Sequence, residues 1–423
     1  MEQLLVIGNP GNRRTAGLQK ARAALGLPPA VVVPYLDLLQ GRVSLEAAAH
    51  AGGLGSCAAP AAPLLRLDAP GEHFEVEREL IALGAPDRTG SDRLLPFGGI
   101  RDPDPWSAGA ALALKEQKGR LYHPSQWFRG FGRLLAKLDS EAAELWPEAE
   151  WINAPGDIAG MFDKRHTHRV LSAAGVPTPR ALAAPESIPN GEALRETMLR
   201  ERMHRVFVKL ASGSGACGVV AYQINPATGA ELAITTVGAE HYVSRPPIYY
   251  NSMKLRRYTK RNEIRPILDW LLRHGAHVEQ WIAKASHGDR AFDIRQLVVA
   301  GEACHSVARV SSTPITNLHL RSERMSPEAA GLSDEVQAAV RECAVGALAA
   351  FKSSTVAGVD ILVSRGSHRP YAVDVNPFGD LLYHVYHQDC DPYTWEMKRL
   401  GGRRQGRATA AAAQGTEGKG ELS

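Results

Sequence analysis

A lysine stands just upstream of a glycine loop in Val206-Phe-Val-Lys209-Leu-Ala-Ser212-Gly213-Ser214-Gly215-Ala-Cys217-Gly218-Val-Val220. Glycines let a backbone approach an anion closely, and successive N–H groups can form a nest for phosphate. Gly213, Gly215 and Gly218 have the spacing of a dinucleotide fingerprint. That site needs a helix after the glycines, and Val219–Ile224 alternates like a strand instead. A protein-kinase loop is excluded because no H-R-D or D-F-G follows, and no Walker A string is present. What fits is a flap over phosphates, with Lys209 alternating away from Val208 and Leu210 toward a ligand. An ordinary glycine hairpin with a surface lysine would show the same local string.

Two later runs carry acids in an apolar setting: Gly358-Val-Asp360-Ile-Leu-Val-Ser364 and Tyr371-Ala-Val-Asp374-Val-Asn376-Pro-Phe-Gly379-Asp380. If Arg365–Arg369 is a symmetric hairpin loop, pairing is centred on Ser367 and Asp360 falls opposite Asp374. Their Cβ atoms would then be ~4.5–5.5 Å apart, a like-charge pair that destabilises a sheet unless a cation resolves it. Asn376 lies two residues on, on the same face. Three hard oxygen side chains without a soft ligand suit Mg²⁺ or Mn²⁺, most naturally shared with phosphate oxygens. A solvent-facing strand side is the competing reading, which the neighbours Val359, Ile361, Val373 and Val375 weaken.

Two arginines lie between flap and acidic hairpin: Asp293-Ile-Arg295-Gln-Leu-Val-Val299, and Val307-Ala-Arg309 running on to Asn317. Both alternate with apolar residues, so each can point from a buried sheet toward one site and stabilise a phosphoryl-transfer transition state. Structural ion pairs, such as Arg295 with Asp293, are the alternative. His384 and His387, near Asp389 and Cys390, make a weak zinc set with an uncertain third ligand, against polar residues satisfied within a helix. Cys217 has glycine amides and no assignable histidine beside it, so nothing makes it a nucleophile.

The elements that must position these groups fall into two regions. From residue 1 to about 150, strands, Pro/Gly-rich loops and helices at Thr15–Leu25, Phe74–Leu83 and Trp127–Leu145 indicate a small α/β domain. Asn9-Pro10-Gly11-Asn12-Arg13-Arg14 follows its first strand, where open α/β sheets place ligand loops, and a plain turn would look alike. From Ile152, a helix at Asp163–Ala174 stops at Gly175 and Pro177. Strands follow at Arg205–Leu210, Gly218–Ile224, His277–Ile282, Asp293–Val299, His305–Ser311, Gly358–Ser364 and Tyr371–Asn376, with helices at Glu263–Arg273 and Ser333–Lys352. This is an α+β pattern of antiparallel meanders. Residues 401–423 are rich in Gly, Arg, Ala and Thr and read as a disordered tail.

With 423 residues, 44% hydrophobic and 22% charged, the chain is an ordinary globular one of two or three domains. A net charge of +4 with dispersed Lys and Arg gives no case for nucleic acid. No apolar stretch approaches the ~18 residues of a membrane span, and Gln3–Ile7 reads as a strand, not a signal peptide, so a cytoplasmic protein is expected. Five scattered cysteines without a C-x-x-C pair fit reduced thiols.

Taken in order over roughly residues 150–400, these segments resemble the ATP-grasp ligases, most closely the branch with glutathione synthetase and the ribosomal-protein glutamate ligases. The match consists of Asp163-Lys164 before a helix ending in Gly-Val-Pro-Thr-Pro, Val-Lys209 with its flap, the strand Glu279–Ile282, Phe-Asp-Ile-Arg295, Ala-Arg309 with Asn317, Gly-Val-Asp360, and Asp374-Val-Asn376-Pro. The resemblance implies a pre-grasp α/β domain at 1–150, a lid subdomain at 151–282 and a second α+β subdomain carrying the metal site at 283–400. ATP would lie between the latter two. Lys164, Lys209 and the flap (Ser212, Gly213, Ser214, Gly215, Gly218) would reach phosphates and adenine. Glu279, Gln280, Trp281 and Ile282 would meet adenine largely through backbone. Asp360, Asp374 and Asn376 would hold Mg²⁺ (or Mn²⁺), while Arg295, Arg309 and Asn317 would serve an acyl phosphate formed from a substrate carboxylate and displaced by an amine.

The sequence departs from the family pattern at Asp374, where Glu is usual, and in lacking an acidic ribose partner after the hinge, for which Asp289 and Lys284 are the candidate substitutes. A nucleotide-binding module without turnover that serves a partner protein or peptide, and phosphoryl transfer to a non-carboxylate acceptor, are the other readings. The expected substrates are a small-molecule or peptide carboxylate and an amine, with neither nucleic acid nor membrane involved, and a homo-oligomer by analogy alone.

Overall fold

The computed structural model describes residues 3–53, 62–100, 102–184, 187–213, 217–316 and 322–401. Ser214, Gly215, Asn317, Cys57 and residues 402–423 of the expected tail lie outside these. Strand β1 (Leu4–Gly8) is buried throughout and pairs in parallel with β2 (Val31–Pro34) and β3 (Leu64–Leu67) on its two sides. A near-continuous apolar run is what a strand covered on both faces requires. The next strand, β4 (Arg120–Leu121), leaves this sheet, and β5 (Glu150–Trp151) returns to pair beside β3. Helices Phe74–Leu83 and Pro124–Leu145 cross so closely that a Cβ on Gly84 would lie 1.9 Å from the Gln126 carbonyl, and one on Gly130 1.8 Å from that of Leu80.

The second sheet is antiparallel from β6 to β10: β6 (Arg205–Leu210), β7 (Val219–Ile224), β8 (Glu231–Glu240), β9 (Ile248–Tyr258) and β10 (Ala276–Gln280). Its order is β10-β6-β7-β8-β9-β4, so a short piece of the first 150 residues forms one edge. Sequence reading found β6, β7 and β10 and passed over β8 and β9. The β-branched run Ile234-Thr235-Thr236-Val237 was the available signal. Behind the sheet, Val206, Val208 and Val220 pack on helix Arg261–Arg273 through Ile264, Leu268 and Leu271. The expected strand His277–Ile282 ends at Gln280, although the Trp281 amide still donates to the Arg205 carbonyl at 3.0 Å and its ring lies tilted against Phe207 with centroids 5.4 Å apart.

The third sheet runs β14-β13-β12-β15-β16, with β11 on β12. Its members are β11 (Ser286–His287), β12 (Arg290–Val299), β13 (Glu302–Ser311), β14 (Glu323–Met325), β15 (Val356–Val363) and β16 (Pro370–Asn376). Period-two alternation sends Ile294, Val298, Ala308, Val359 and Ile361 into a core with helix Asp334–Ala349, and leaves Asp293, Arg295, Arg309 and Asp360 on the other face.

A buried polar cluster ties the first region to the second sheet's helix. Ser125 Oγ donates to Asp102 Oδ2 at 2.8 Å and lies 3.0 Å from His274 Nδ1, and His123 Nδ1 lies 3.3 Å from Asp102. Burial disfavours the Asp102 carboxylate, but His123, His274 and Ser125 together hold it at about 2. Among the described residues no helix is long and apolar enough to cross a membrane.

Candidate active site

The helix Lys164–Ala173 begins where Asp163, wholly buried, accepts hydrogen bonds from the Arg165 and His166 amides, so the residue expected to open the helix caps it instead. The Lys164 amide donates to the Ala211 carbonyl at 2.9 Å, which fixes this helix to the end of β6 and the start of the flap. Lys164 Nζ thereby reaches Asp374 Oδ2 at 2.9 Å, across to the third sheet. On β6, Lys209 pairs with His277, and its Nζ lies 2.5 Å from Glu279 Oε1 and 3.4 Å from the Val373 carbonyl. Burial works against the Lys209 charge, and Glu279 more than restores it, so its pKa is raised. Glu279 is thus a buried side-chain partner of the lysine, also 3.1 Å from His277, a role that a backbone-only reading of the hinge missed.

The hairpin register is the one expected at the acids: Asp360 faces Asp374, and Gly358 faces Asn376. A bulge between Asp360 and Ile361 shifts pairing on the loop side, so the symmetry about Ser367 holds only on the site's side. Arg309 Nη2 stands 2.9 Å and Arg295 Nε 3.1 Å from Asp360 Oδ1, while Arg309 Nε donates to Asp293 Oδ1 at 2.7 Å. Asp293 therefore partners Arg309 and not Arg295. Arg295 instead meets Asp380 Oδ2 at 3.0 Å and donates to the Gly358 carbonyl at 3.1 Å. Asp380 was not selected from the sequence. Its signal was Gly358, where a Cβ would sit 3.3 Å from both Arg295 Nη1 and Asp380 Oδ2.

One cleft between the second and third sheets is lined by Lys164, Lys209, Glu279, Gln280, Arg309, Asp360 and Asp374, with Gly213 and Cys217 of the flap. Its roof is apolar, built from Phe207, Val219 and Ile315. Arg295 and Asn376 adjoin it through Asp360 and Gly358. Ser212 is buried against the Pro124 carbonyl, Gly218 takes φ +65° over Leu210, and neither Trp281 nor Ile282 lines the cleft. Lys284 enters it beside Asp293 at 3.1 Å, whereas Asp289 is exposed in the β11–β12 turn. Burial pushes the Cys217 thiol up to about 12, which disfavours the thiolate. His384 and His387 lie in an irregular segment, not a helix, and His387 Nε2 is 3.4 Å from Glu302.

Formal charge in and beside the cleft balances: Lys164, Lys209, Lys284, Arg295 and Arg309 stand against Glu279, Asp293, Asp360, Asp374 and Asp380. The balance is uneven at Asp360. Its Oδ1 is buried and accepts no well-directed hydrogen bond despite two nearby guanidinium groups. Burial raises the Asp360 pKa, Arg295 and Arg309 oppose the rise, and Asp293 and Asp374 add to it. An under-satisfied carboxylate opposite a second one, with Asn376 nearby, is a hard-oxygen donor set that fits Mg²⁺. No group of three or more His, Cys, Asp or Glu converges as metal ligands among the described residues, so a metal here would need Asn376 or a ligand oxygen to complete its shell.

No protein-family model matches the sequence, and no curated protein matches it. Solved structures do match. The ATP-grasp ligase PsnB, complexed with a phosphomimetic variant of minimal precursor, Mg and ADP, aligns over 96% of this chain and 99% of its own with a TM-score of 0.51 at 15% identity. D-cycloserine synthetase DcsG aligns over 95% and 99% with a TM-score of 0.50 at 14% identity. Both likenesses run nearly end to end, through the parallel sheet as well as the two antiparallel ones, and the chain has the ATP-grasp fold.

Proposed function

We propose that the protein is an ATP-dependent carboxylate–amine ligase that works through an acyl phosphate. The observation that carries this reading is the meeting of Lys164, Lys209, Arg309, Asp360 and Asp374, drawn from five separate elements, at one cleft under an apolar roof. Residues 1–150 would be the pre-grasp domain, 151–282 the lid and 283–400 the metal-bearing subdomain. The adenine would lie under Phe207 and Val219 beside Glu279 and Gln280, and Lys164 and Lys209 would exchange Asp374 and Glu279 for phosphate oxygens.

Mg²⁺, held by Asp360, Asp374 and Asn376, would neutralise phosphate charge. Arg295 and Arg309 would orient the γ-phosphate, where charge accumulates as the substrate carboxylate oxygen bonds to phosphorus and ADP leaves with the electron pair. A neutral amine would then attack the acyl carbon, lose its proton and expel phosphate, leaving an amide. The cleft's position between two sheets would exclude water from the acyl phosphate. The acid and amine are small molecules or peptides, a range that suits a fold whose members include a ligase solved with a precursor.

Calorimetry of ATP binding with and without Mg²⁺, on wild type and Asp360→Ala/Asp374→Ala, tests the site. Micromolar, Mg²⁺-dependent binding lost in the double variant is expected, and no binding by a folded wild type would refute it. Hydroxylamine trapping during turnover would give a hydroxamate only from an acyl phosphate. A second reading, a nucleotide-binding module serving a partner, is favoured by one feature: each cleft cation is already held by a carboxylate. It predicts tight ATP binding with no ADP release across an acid and amine screen.

A further inference from the structure

Beyond β16 the ladder no longer fixes the chain, yet two groups of the site flank that point: Asn376 ends the strand, and Asp380 follows the turn Pro377-Phe378-Gly379. The carbonyls of this turn are taken, one after another, by side chains from outside the third sheet. Asn153, two residues past β5, donates through Nδ2 to the Pro377 carbonyl, and to that of Val356 at 2.7 Å. Arg14, near the start of helix Arg13–Ala24, donates through Nη1 to the Phe378 carbonyl at 3.0 Å and lies 3.5 Å from that of Gly379. Arg66 on β3 reaches the Phe378 carbonyl at 3.5 Å.

These donors are themselves held. Arg66 is buried between Asp68 Oδ1 at 2.7 Å and Glu396, and Asn153 accepts from the Thr355 and Val356 amides at 2.9 and 3.0 Å. Both hydrogen bonds that the Arg14 guanidinium makes among the described residues go to the turn. The seat is closely built: Gly379 takes φ +64°, and a Cβ there would lie 3.3 Å from Val356 Cγ1 and 3.5 Å from Glu396 Oε2. On the far side of the turn, Asp380 Oδ2 stands 3.0 Å from Arg295 Nε, and Arg295 and Asn376 both donate to the Gly358 carbonyl, at 3.1 and 3.0 Å.

A carboxylate can aim a guanidinium only if its own backbone is fixed, and a misplacement of about 1 Å near reacting atoms can cost ~10²-fold in rate. The segment Asn9–Arg14 follows a parallel strand, where a ligand loop is usual, and in this chain its last residue holds protein carbonyls instead. We propose that Arg14 is a positioning residue for phosphoryl transfer: it holds the Phe378–Gly379 turn, the turn sets Asp380, and Asp380 orients Arg295 toward the γ-phosphate. Arg66 and Asn153 secure the same turn. The first 150 residues thereby supply part of the transfer geometry as well as its border. This assignment rests on the ligase reading above, in which Arg295 meets the γ-phosphate.

The test is calorimetry of Mg²⁺–ADP, with and without beryllium fluoride as a mimic of the γ-phosphate, on wild type, Arg14→Gln, Asp380→Asn and the double variant. ADP affinity should stay within about twofold throughout, while the gain in affinity from beryllium fluoride falls roughly tenfold in each single variant. The double variant should lose no more than the more affected single one, because both changes act through one chain of contacts, and Arg14→Lys should recover part of the gain. A role confined to packing would lower the melting temperature and weaken both complexes alike. That result, an unchanged beryllium fluoride gain in Arg14→Gln, or additive losses in the double variant would each overturn the assignment. So would a wild type that binds ADP and gains nothing from beryllium fluoride. If Arg14→Gln binds no ADP, the same cycle is run with Arg14→Lys and read by the same criteria. Failure of wild type to bind ADP at all would remove the ligase reading with it.

Discussion

Replacing Glu279 by Gln keeps the side chain's shape and removes its charge, and the cost can be worked from its surroundings. Glu279 is 3% exposed, with Lys209 Nζ at 2.5 Å and His277 Nε2 at 3.1 Å. Burial alone would push its pKa up, but Lys209 and His277 reverse this and hold it at about 2, against an ordinary 4.5. At ~1.4 kcal/mol per unit the shift corresponds to roughly 3 kcal/mol. The folded pKa is the lower one, so this stability is complete above pH ~4.5 and is lost as pH falls toward ~2. In Glu279→Gln the lysine keeps the Val373 carbonyl at 3.4 Å and the more distant Asp374 and Asp360, while breaking a buried pair typically costs ~3–5 kcal/mol.

Both routes give about 3 kcal/mol. Urea unfolding followed by tryptophan fluorescence should show that difference at pH 7, shrinking as both proteins are taken below pH ~4.5. A variant within ~0.5 kcal/mol of wild type at pH 7, or a gap that stays constant between about pH 5 and pH 3, would refute the idea that the Lys209–Glu279 pair holds strand β10 against β6.

Two further outcomes are expected. Burial pushes His274 down to about 4, so the unfolded chain takes up a proton near pH 6.5 that the folded one refuses, and stability falls as pH drops through that window by up to ~3 kcal/mol. His166, His168 and His305 are also lowered by burial, so the measurement is the difference between wild type and His274→Gln in urea midpoint at pH 7 and pH ~5. An unchanged difference would count against a neutral buried imidazole. Gly130→Ala would drive a methyl group into the Leu80 carbonyl, where backbone cannot yield as a side chain does. A loss above the ~1–3 kcal/mol usual for overpacking is expected in thermal melts. A near-wild-type melting temperature would show that the two helices can separate.

The groups readable from sequence share a local cause. Alternation along β12 and β13 already separated Arg295 and Arg309 from the apolar residues beside them, and a short loop between two runs already set Asp360 opposite Asp374. Asp163 before a periodic segment is a capping signal, and the cap is there. What was missed had at most a weak local signal. The β8–β9 hairpin is held by pairing with β7 and by helix Arg261–Arg273, and its own alternation is interrupted by a register shift after Thr235. Asp380 lies beyond the last paired residue, where no period constrains direction, and Glu279 read as a hinge residue because its lysine is 70 positions earlier in the chain.

The sequence by itself therefore determined which residues face one side of each strand, the hairpin register at the acids and the order of segments that marks the fold. The tertiary structure alone decided who partners whom: Lys164 with Asp374, Lys209 with Glu279, Asp293 with Arg309 and not Arg295, and Arg295 with Asp380. The reason is physical. Side-chain alternation and turn symmetry are short-range properties of the backbone, whereas an ion pair in a cleft depends on how two sheets with separate cores are set against each other.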